Sequence, residues 1–272
     1  MSSYSQVQET VAQIRSRTDF APDVGIVLGS GLGPLAEEIE IVSSIPYADL
    51  RHFPRSTTPG HEGILIFGRL EGRNVVAYKG RAHLYEGYTA QQVVFPVRVG
   101  FDLGARTFVV TSAAGGLNPN FQAGEIMLHQ DYINMAGVNP LTGPNDERMG
   151  PRFPVMFDAY DPALRLLAAQ VARAQDVMLR EGVYAWFAGP AFASRAELRL
   201  LRNLGADAIG MSTVPEVIAL RHRGARVLGL SIITDMAIPD RDHHASGQEV
   251  LEVAARSGRV FRRLVRGLLA AL

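Results

Sequence analysis

The chain has 272 residues and a formal net charge of zero, with 27 Lys plus Arg against 27 Asp plus Glu. A balanced charge offers no broad positive field for nucleic acid or an anionic membrane. There is no cysteine, which excludes disulfides and thiolate chemistry, and an apolar fraction of 47% is enough to bury a large core. Residues 1–18 are polar and lack the apolar core of a signal peptide, and no apolar run reaches membrane-spanning length, so a cytoplasmic location is expected.

Val7, Val11 and Ile14 stand at helical spacing and predict a leading helix over 7–17. Residues 23–28 read as a short strand, followed by the turn Gly29-Ser30-Gly31-Leu32-Gly33-Pro34 and a helix over 35–39. Residues 45–53 read as irregular and 55–63 as a loop carrying His61. Paired strands are expected over 63–70 and 74–79, turning at Glu71-Gly72. A polar and aromatic loop follows, Gly80-Arg81-Ala82-His83-Leu84-Tyr85-Glu86-Gly87-Tyr88. It leads to a helix over 90–103 and a strand over 107–111, which runs into Ser112-Ala113-Ala114-Gly115-Gly116-Leu117-Asn118-Pro119.

Residues 125–133 predict a strand, and 134–160 form a connection long enough to imply function or an interface. A helix over 161–175 and a strand over 182–187 precede a helix over 194–204, where Ser194 and Glu197 have capping-box spacing. Residues 205–216 are apolar up to Ser212-Thr213. Thr213 is expected to cap a helix over 214–222, with Pro215 in its first turn and Glu216 at the positive end of its dipole. A strand over 226–234 ends at Asp235, the loop Asp240-Arg241-Asp242-His243-His244 is charged, and a last helix starts at Ser246 or Gly247. Near its end Arg262, Arg263 and Arg266 interrupt the apolar residues, so this helix is amphipathic and packs on the body.

Alternating strands and helices predict one α/β domain over 1–272, with a mixed, mostly parallel sheet and helices on both faces. In such sheets ligands collect at the carboxyl ends of strands. Those ends carry Ser30, Arg81, His83, residues 113–116, Phe192, Met211, Ser212 and Asp235.

Gly29-Ser30-Gly31-Leu32-Gly33 fits neither a dinucleotide fingerprint nor a Walker motif, and reads as a phosphate cradle or as a tight turn. In an extended loop Arg81 and His83 share a face, and an arginine fork beside a histidine donor suits phosphate. The competing reading is a surface salt bridge and a core histidine. Tyr85 and Tyr88 are candidates to stack on a sugar or base, Tyr88 reading more readily as a core aromatic. Asp235, after a long apolar strand, is read as a ligand acceptor rather than a core acid. Nothing fixes a metal geometry in the Asp240, Asp242, His243, His244 group, so no metal is expected. The residues together fit inorganic phosphate and a neutral, partly flat organic substrate.

These motifs, with Arg152-Phe153-Pro154, Gly189-Pro190 and residues 205–217, resemble the trimeric purine nucleoside phosphorylase family, which includes the methylthioadenosine phosphorylases. The resemblance runs in unbroken order from about residue 20 onward. It implies a mixed sheet with a distorted barrel, a homotrimer, and cleavage of a nucleoside by phosphate into free purine and ribose 1-phosphate. Phosphate is then a co-substrate and no cofactor is needed. By position, Ser30, Arg81, His83, the Ala113 amide and Ser212 would hold phosphate. Tyr85 and Met211 would flank the ribose, with Phe153 reaching into a neighbouring subunit's sugar pocket. Phe192, Ala193, Ile209 and Asp235 would meet the base, and His61 would lie in a loop near the phosphate. His83 and Asp235 are the expected catalytic groups.

Three positions depart from the 6-oxopurine pattern of the family. Ala193 stands for a Glu, Asp235 for an Asn, and Gly247 for a His near the ribose 5′-hydroxyl, with His243 or His244 as substitutes. An Asp accepts from a 6-amino group, so Asp235 leans toward 6-aminopurines. The rival readings are a methylthioadenosine phosphorylase, a non-catalytic nucleoside-binding protein and, more distantly, a dinucleotide-dependent oxidoreductase. Arg81→Ala is expected to weaken phosphate use with the fold intact.

Overall fold

The computed structural model describes residues 4–58, 60–240 and 245–272. The N-terminal half carries α1 (Tyr4–Arg15), β1 (Val24–Leu28), β2 (Glu40–Pro46), β3 (Ile64–Leu70), β4 (Arg73–Lys79), α2 (Ala90–Val93), α3 (Phe95–Leu103), β5 (Thr107–Gly116) and β6 (Ile126–Asn134). The remainder carries α4 (Pro162–Ala174), β7 (Leu179–Trp186), α5 (Arg195–Asn203), β8 (Ala208–Gly210), α6 (Val214–His222), β9 (Arg226–Met236) and α7 (Gly247–Ala271).

The strands form one sheet in the order β2-β3-β4-β1-β5-β8-β7-β6-β9, and a further β5–β9 pairing closes its last five strands into a ring. The mixed sheet with a barrel is therefore present. Among the described residues, parallel pairings outnumber antiparallel ones five to four.

Alternating strand residues divide the core between the two faces. Val27, Val76, Tyr78, Phe108 and Val110 pack with α1, α3 and α6. Ile26, Leu28, Val75, Ala77 and Val109 pack with α4 and α7 on the other face. Helices thus cover both faces. On α4, Leu164, Ala168 and Ala172 recur at the spacing of one helical stripe and are buried. Burying a leucine of this kind stabilises the fold by about 1.5–3 kcal/mol. Asp161 caps α4 by accepting from the Leu164 amide at 2.9 Å, and the Ser194–Glu197 capping box at α5 forms as expected.

Several boundaries differ from the sequence reading, each for a physical reason. Residues 40–46, mostly outside the predicted irregular stretch, form an edge strand. Only Ile45 is buried in it, so no alternation announces it. The helix expected over 35–39 is a 3-10 turn spanning Gly33–Glu38. The helix over 90–103 is two, joined at Val94, because Pro96 has no amide to continue the ladder. β5 and β9 run past their predicted ends, since residues 112–116 pair with β9. Asp235 accordingly lies within β9 and not beyond it. Tyr88 is not a core aromatic: it is partly exposed, and its hydroxyl accepts from the Arg55 amide at 3.0 Å and donates to the Arg55 carbonyl at 2.7 Å.

Helix α7 lies across the open side of the first turn. A Cβ on Gly31, whose φ is +85°, would stand 2.7 Å from the Ala254 carbonyl oxygen, and one on Gly258 would stand 2.6 Å from the Gly31 oxygen. Only glycine admits this approach of backbone to backbone. Helix α7 packs on the body as expected, and two of its arginines pair there: Arg262 Nε reaches Glu38 at 2.9 Å, and Arg266 reaches Glu38 at 3.0 Å and also Glu71. No helix among the described residues is long and apolar enough to cross a membrane.

Candidate active site

A cleft of about 200 Å³ opens where β1, β5, β8 and β9 come together. Eleven of the twelve expected site residues line it: Ser30, Arg81, His83, Tyr85, Ala113, Phe192, Ala193, Ile209, Met211, Ser212 and Asp235. The exception is Phe153, which is 84% exposed and lies outside this cleft, with Val155 and Phe157 also exposed beside it in sequence.

The turn after β1 is tied to β5 from below. The Gly29 amide donates to the Thr111 hydroxyl at 3.0 Å, and that hydroxyl donates to the Val27 carbonyl at 2.7 Å. Ser30 is thereby set at the cleft rim.

Arg81 is 4% exposed, and none of its three guanidinium nitrogens has a hydrogen-bond partner among the described residues. Its charge partner is Glu216, 3% exposed, with Nε 3.4 Å from Oε1. A buried guanidinium without acceptors is costly, so its place on the cleft wall suits an oxyanion bringing several acceptors. Burial pushes the Glu216 carboxyl up, while the Arg81 charge and the Thr213 amide oppose the rise. Glu216 is therefore more than a dipole-facing residue of α6. Removing Arg81 would leave this carboxyl buried without its partner, so Arg81→Ala should also cost stability, in contrast to the intact fold expected from the sequence.

His83 is held by Glu86. The His83 amide and ring Nδ1 each lie 2.8 Å from Glu86 Oε1. The second oxygen of Glu86 accepts from the Thr57 amide at 2.6 Å and hydroxyl at 2.7 Å. Burial raises the Glu86 carboxyl, but the hydrogen bonds from His83 and Thr57 outweigh it and bring it down to about 2. Burial lowers the His83 imidazole, with Glu86 opposing. The neutral ring thus gives Nδ1–H to Glu86 and keeps a lone pair on Nε2, which can accept from the hydroxyl of a hydrogen phosphate. Tyr85 stacks on His83 with centroids 4.6 Å apart. His61 Nδ1 sits 3.1 Å from the Arg81 amide nitrogen and 3.0 Å from its carbonyl, and burial pushes that ring down to about 4.

Thr213 does not cap α6 through its side chain. It has φ +62° and ψ −52°, and the Val214 amide donates to the Ser212 carbonyl at 2.8 Å. That is a γ-turn with positive φ, a rare conformation and a strained one for a β-branched residue. The turn bends the chain sharply after β8 and brings Met211 and Ser212 to the cleft. Opposite them, Asp235 Oδ1 accepts from the Thr234 hydroxyl at 3.3 Å.

Sequence reasoning missed part of the lining. Ser112, Phe187, Leu198, Thr234, Ala237 and Val250 also face the cleft. Ser112 and Thr234 directly precede predicted site residues and fall in stretches the sequence marks, but neither is assigned a role of its own there. Val250 has none, being one of many residues on α7. Gly247 is not in the cleft wall, Asp240 pairs with Arg199 at 3.4 Å, and Asp242, His243 and His244 lie outside the described residues.

The description of the family model that matches residues 23–270 is "Phosphorylase superfamily". Purine nucleoside phosphorylase 1 of Geobacillus stearothermophilus is 46% identical over 262 residues, covering 96% of each chain. The bovine purine nucleoside phosphorylase is 48% identical, over 99% of this chain and 96% of its own. The crystal structure of Schistosoma mansoni purine nucleoside phosphorylase in complex with adenosine superposes with a TM-score of 0.95 at 38% identity, covering 100% of this chain and 99% of that one. With a closed ring of strands, an anion-ready cleft and relatives matched nearly end to end, the chain belongs to the phosphorylase superfamily and, within it, to the purine nucleoside phosphorylases.

Proposed function

We infer that the chain breaks the glycosidic bond of purine nucleosides with inorganic phosphate. The observation that carries this is the Arg81 guanidinium, buried on the cleft wall and without a hydrogen-bond acceptor among the described residues. The relatives favour this reading over methylthioadenosine phosphorolysis.

In the reaction a phosphate oxygen attacks the anomeric carbon. The carbon–N9 bond breaks, its electron pair leaves with the purine, and a proton is taken up by the base. Positive charge grows on the ribose and negative charge on the purine. Arg81, Ser30, Ser212 and the Ala113 amide would hold the phosphate dianion under the sugar, where its charge stabilises the first. Asp235, at the far side, would hold a proton or a donor group of the base and so handle the second. Positioning and electrostatics supply the rate, and no covalent enzyme intermediate is needed. Tyr85 and Met211 would bracket the ribose, and Phe192, Ala193 and Ile209 would face the purine.

Two finer features belong to the same proposal. Asp235 favours a 6-amino over a 6-oxo purine, because a carboxylate accepts and cannot donate. The exposed Phe153 supports a trimer in which it closes the neighbour's sugar pocket. Incubation with phosphate and, separately, inosine, guanosine, adenosine and methylthioadenosine, followed by assay of free base, tests the proposal. Phosphate-dependent release of purine is expected, with adenosine preferred. No release from any substrate removes the enzymatic reading, and turnover of inosine without adenosine removes the assignment of Asp235.

A further inference from the structure

Beneath the cleft floor lies a row of buried polar side chains that phosphorolysis as described leaves without a role. Ser112 on β5 and Ser231 on β9 face each other across a parallel register pair, with their Oγ atoms 2.7 Å apart. Ser231 Oγ is 2.7 Å from His129 Nε2, and His129 Nδ1 is 3.0 Å from the Tyr160 hydroxyl. Ser231, His129 and Tyr160 are fully buried; Ser112 is nearly so and lines the cleft.

The direction of every bond follows from counting donors. Among the described residues the Tyr160 hydroxyl has one partner, His129 Nδ1. A phenol sealed in the core must donate there or lose its hydrogen bond. Nδ1 then accepts, so the proton of the neutral imidazole sits on Nε2 and is donated to Ser231 Oγ. Among the described residues the Ser231 proton has one acceptor left, Ser112 Oγ. Ser112 therefore accepts from below, and its own proton is free for the cleft. The opposite polarity would bury the Tyr160 proton with no acceptor. Burial and the Arg81 charge hold the His129 ring neutral, down to about 3. The ring plane is fixed by stacking on Tyr184 at 4.8 Å. Gly229 leaves room for the pair, since a Cβ there would come 2.5 Å from Tyr160 Cε1 and 2.6 Å from His129 Nδ1.

We propose that Tyr160, His129 and Ser231 are positioning residues that turn Ser112 into a hydroxyl donor for an oxygen of the phosphate bound in the cleft. The identity of the anion rests on the phosphorolytic reading; the polarity of the row does not.

Calorimetry with inorganic phosphate tests the proposal on wild type, Ser112→Ala, Tyr160→Phe and the double variant. Ser112→Ala should weaken phosphate binding about tenfold, as loss of one hydrogen bond to a charged group does. Tyr160→Phe should weaken it on the order of threefold alone, and not at all in the Ser112→Ala background, while purine base binding holds in all three. Additive losses, or a Ser112→Ala variant that binds phosphate like wild type, overturn it. Wild type that binds no phosphate overturns both this and the phosphorolytic reading, whereas a failure confined to the variants overturns this alone. The ¹⁵N shifts of the His129 ring supply an independent check: the proton belongs on Nε2, and finding it on Nδ1 reverses the polarity.

Discussion

Arg81, His83 and Ser112 are buried, and each is held by a second side chain: Glu216, Glu86 and Ser231 respectively. Phe192, by contrast, is 52% exposed, and Ala193 offers the cleft only a methyl group. Three residues of the group proposed to handle the anion are thus each braced by a buried partner, with Ser231 in turn held by His129. The residues expected to meet the base are less enclosed: Phe192 and Ala193 lie in the loop between β7 and α5, while Ile209 and Asp235 lie within β8 and β9 and are half-buried. On the proposed assignment, the residues for the phosphate are anchored in the core, and those for the base are less enclosed.

The largest expected effect comes from Arg81→Ala, which attacks the braced group. Phosphate-dependent turnover should fall by about a hundredfold or more, measured as kcat/KM for phosphate. The same change strands Glu216 and should cost on the order of 3 kcal/mol of stability. The pH dependence identifies the cause. Burial already raises the Glu216 pKa above its ordinary 4.5, and without Arg81 it rises further. A raised carboxyl means the folded state binds the proton more tightly, so the penalty is full above that raised pKa. It shrinks as pH falls through it and vanishes below about 4.5. Thermal unfolding should therefore show a smaller gap between variant and wild type at acid pH than at pH 8. An equal gap would clear Glu216 of the effect.

Asp235→Asn probes the less enclosed group. It should shift preference from adenosine toward inosine by about ten- to a hundredfold in the ratio of kcat/KM values, since an amide donates where a carboxylate accepts. The fold should be unaffected. Loss of stability comparable to Arg81→Ala would erase the contrast between the two groups.

Phe153→Ala asks whether the exposed aromatic serves a neighbouring subunit. An increase in nucleoside KM of about tenfold with phosphate KM unchanged is expected, as for an interface anchor, together with a trimer by light scattering of the wild type. A monomer in solution would remove the assigned role of Phe153. The smallest effect is expected from Thr213→Gly. Relief of the positive-φ strain, about 1–3 kcal/mol, offsets the lost side-chain packing, so the melting temperature should barely move. Phosphate KM should rise a few-fold as Ser212 loosens. A large drop in stability would show that Thr213 is held by packing alone.

Much of this was readable in the sequence because the site is written in short contiguous stretches. Gly29-Ser30, Arg81-Ala82-His83 and Met211-Ser212 each place a donor at a strand end, and a strand end followed by a turn is a local pattern. What could not be read is contact between distant positions. Nothing near Arg81 in sequence names Glu216 as its partner. His129 looks like any residue of an apolar strand until β6 and β9 pair and bring it to Ser231. The edge strand β2 escaped for the opposite reason: one of its faces meets little, so its residues need not alternate. The γ-turn at Thr213 was hidden because threonine before a proline-started helix ordinarily signals a cap, and its backbone angles are imposed by the surrounding fold.

The meeting of Gly31 with Gly258 has a consequence in time. A ribosome adds about 5–20 residues per second, so the turn that carries Ser30 is made on the order of ten seconds or more before α7 emerges to cover it. During that interval the turn lacks its backing, and the sheet face that α7 buries is open to water and to other chains. The cleft is consequently a late product of synthesis. A nascent chain stopped before α7 would carry Ser30 on a turn that lacks the helix against which Gly31 packs.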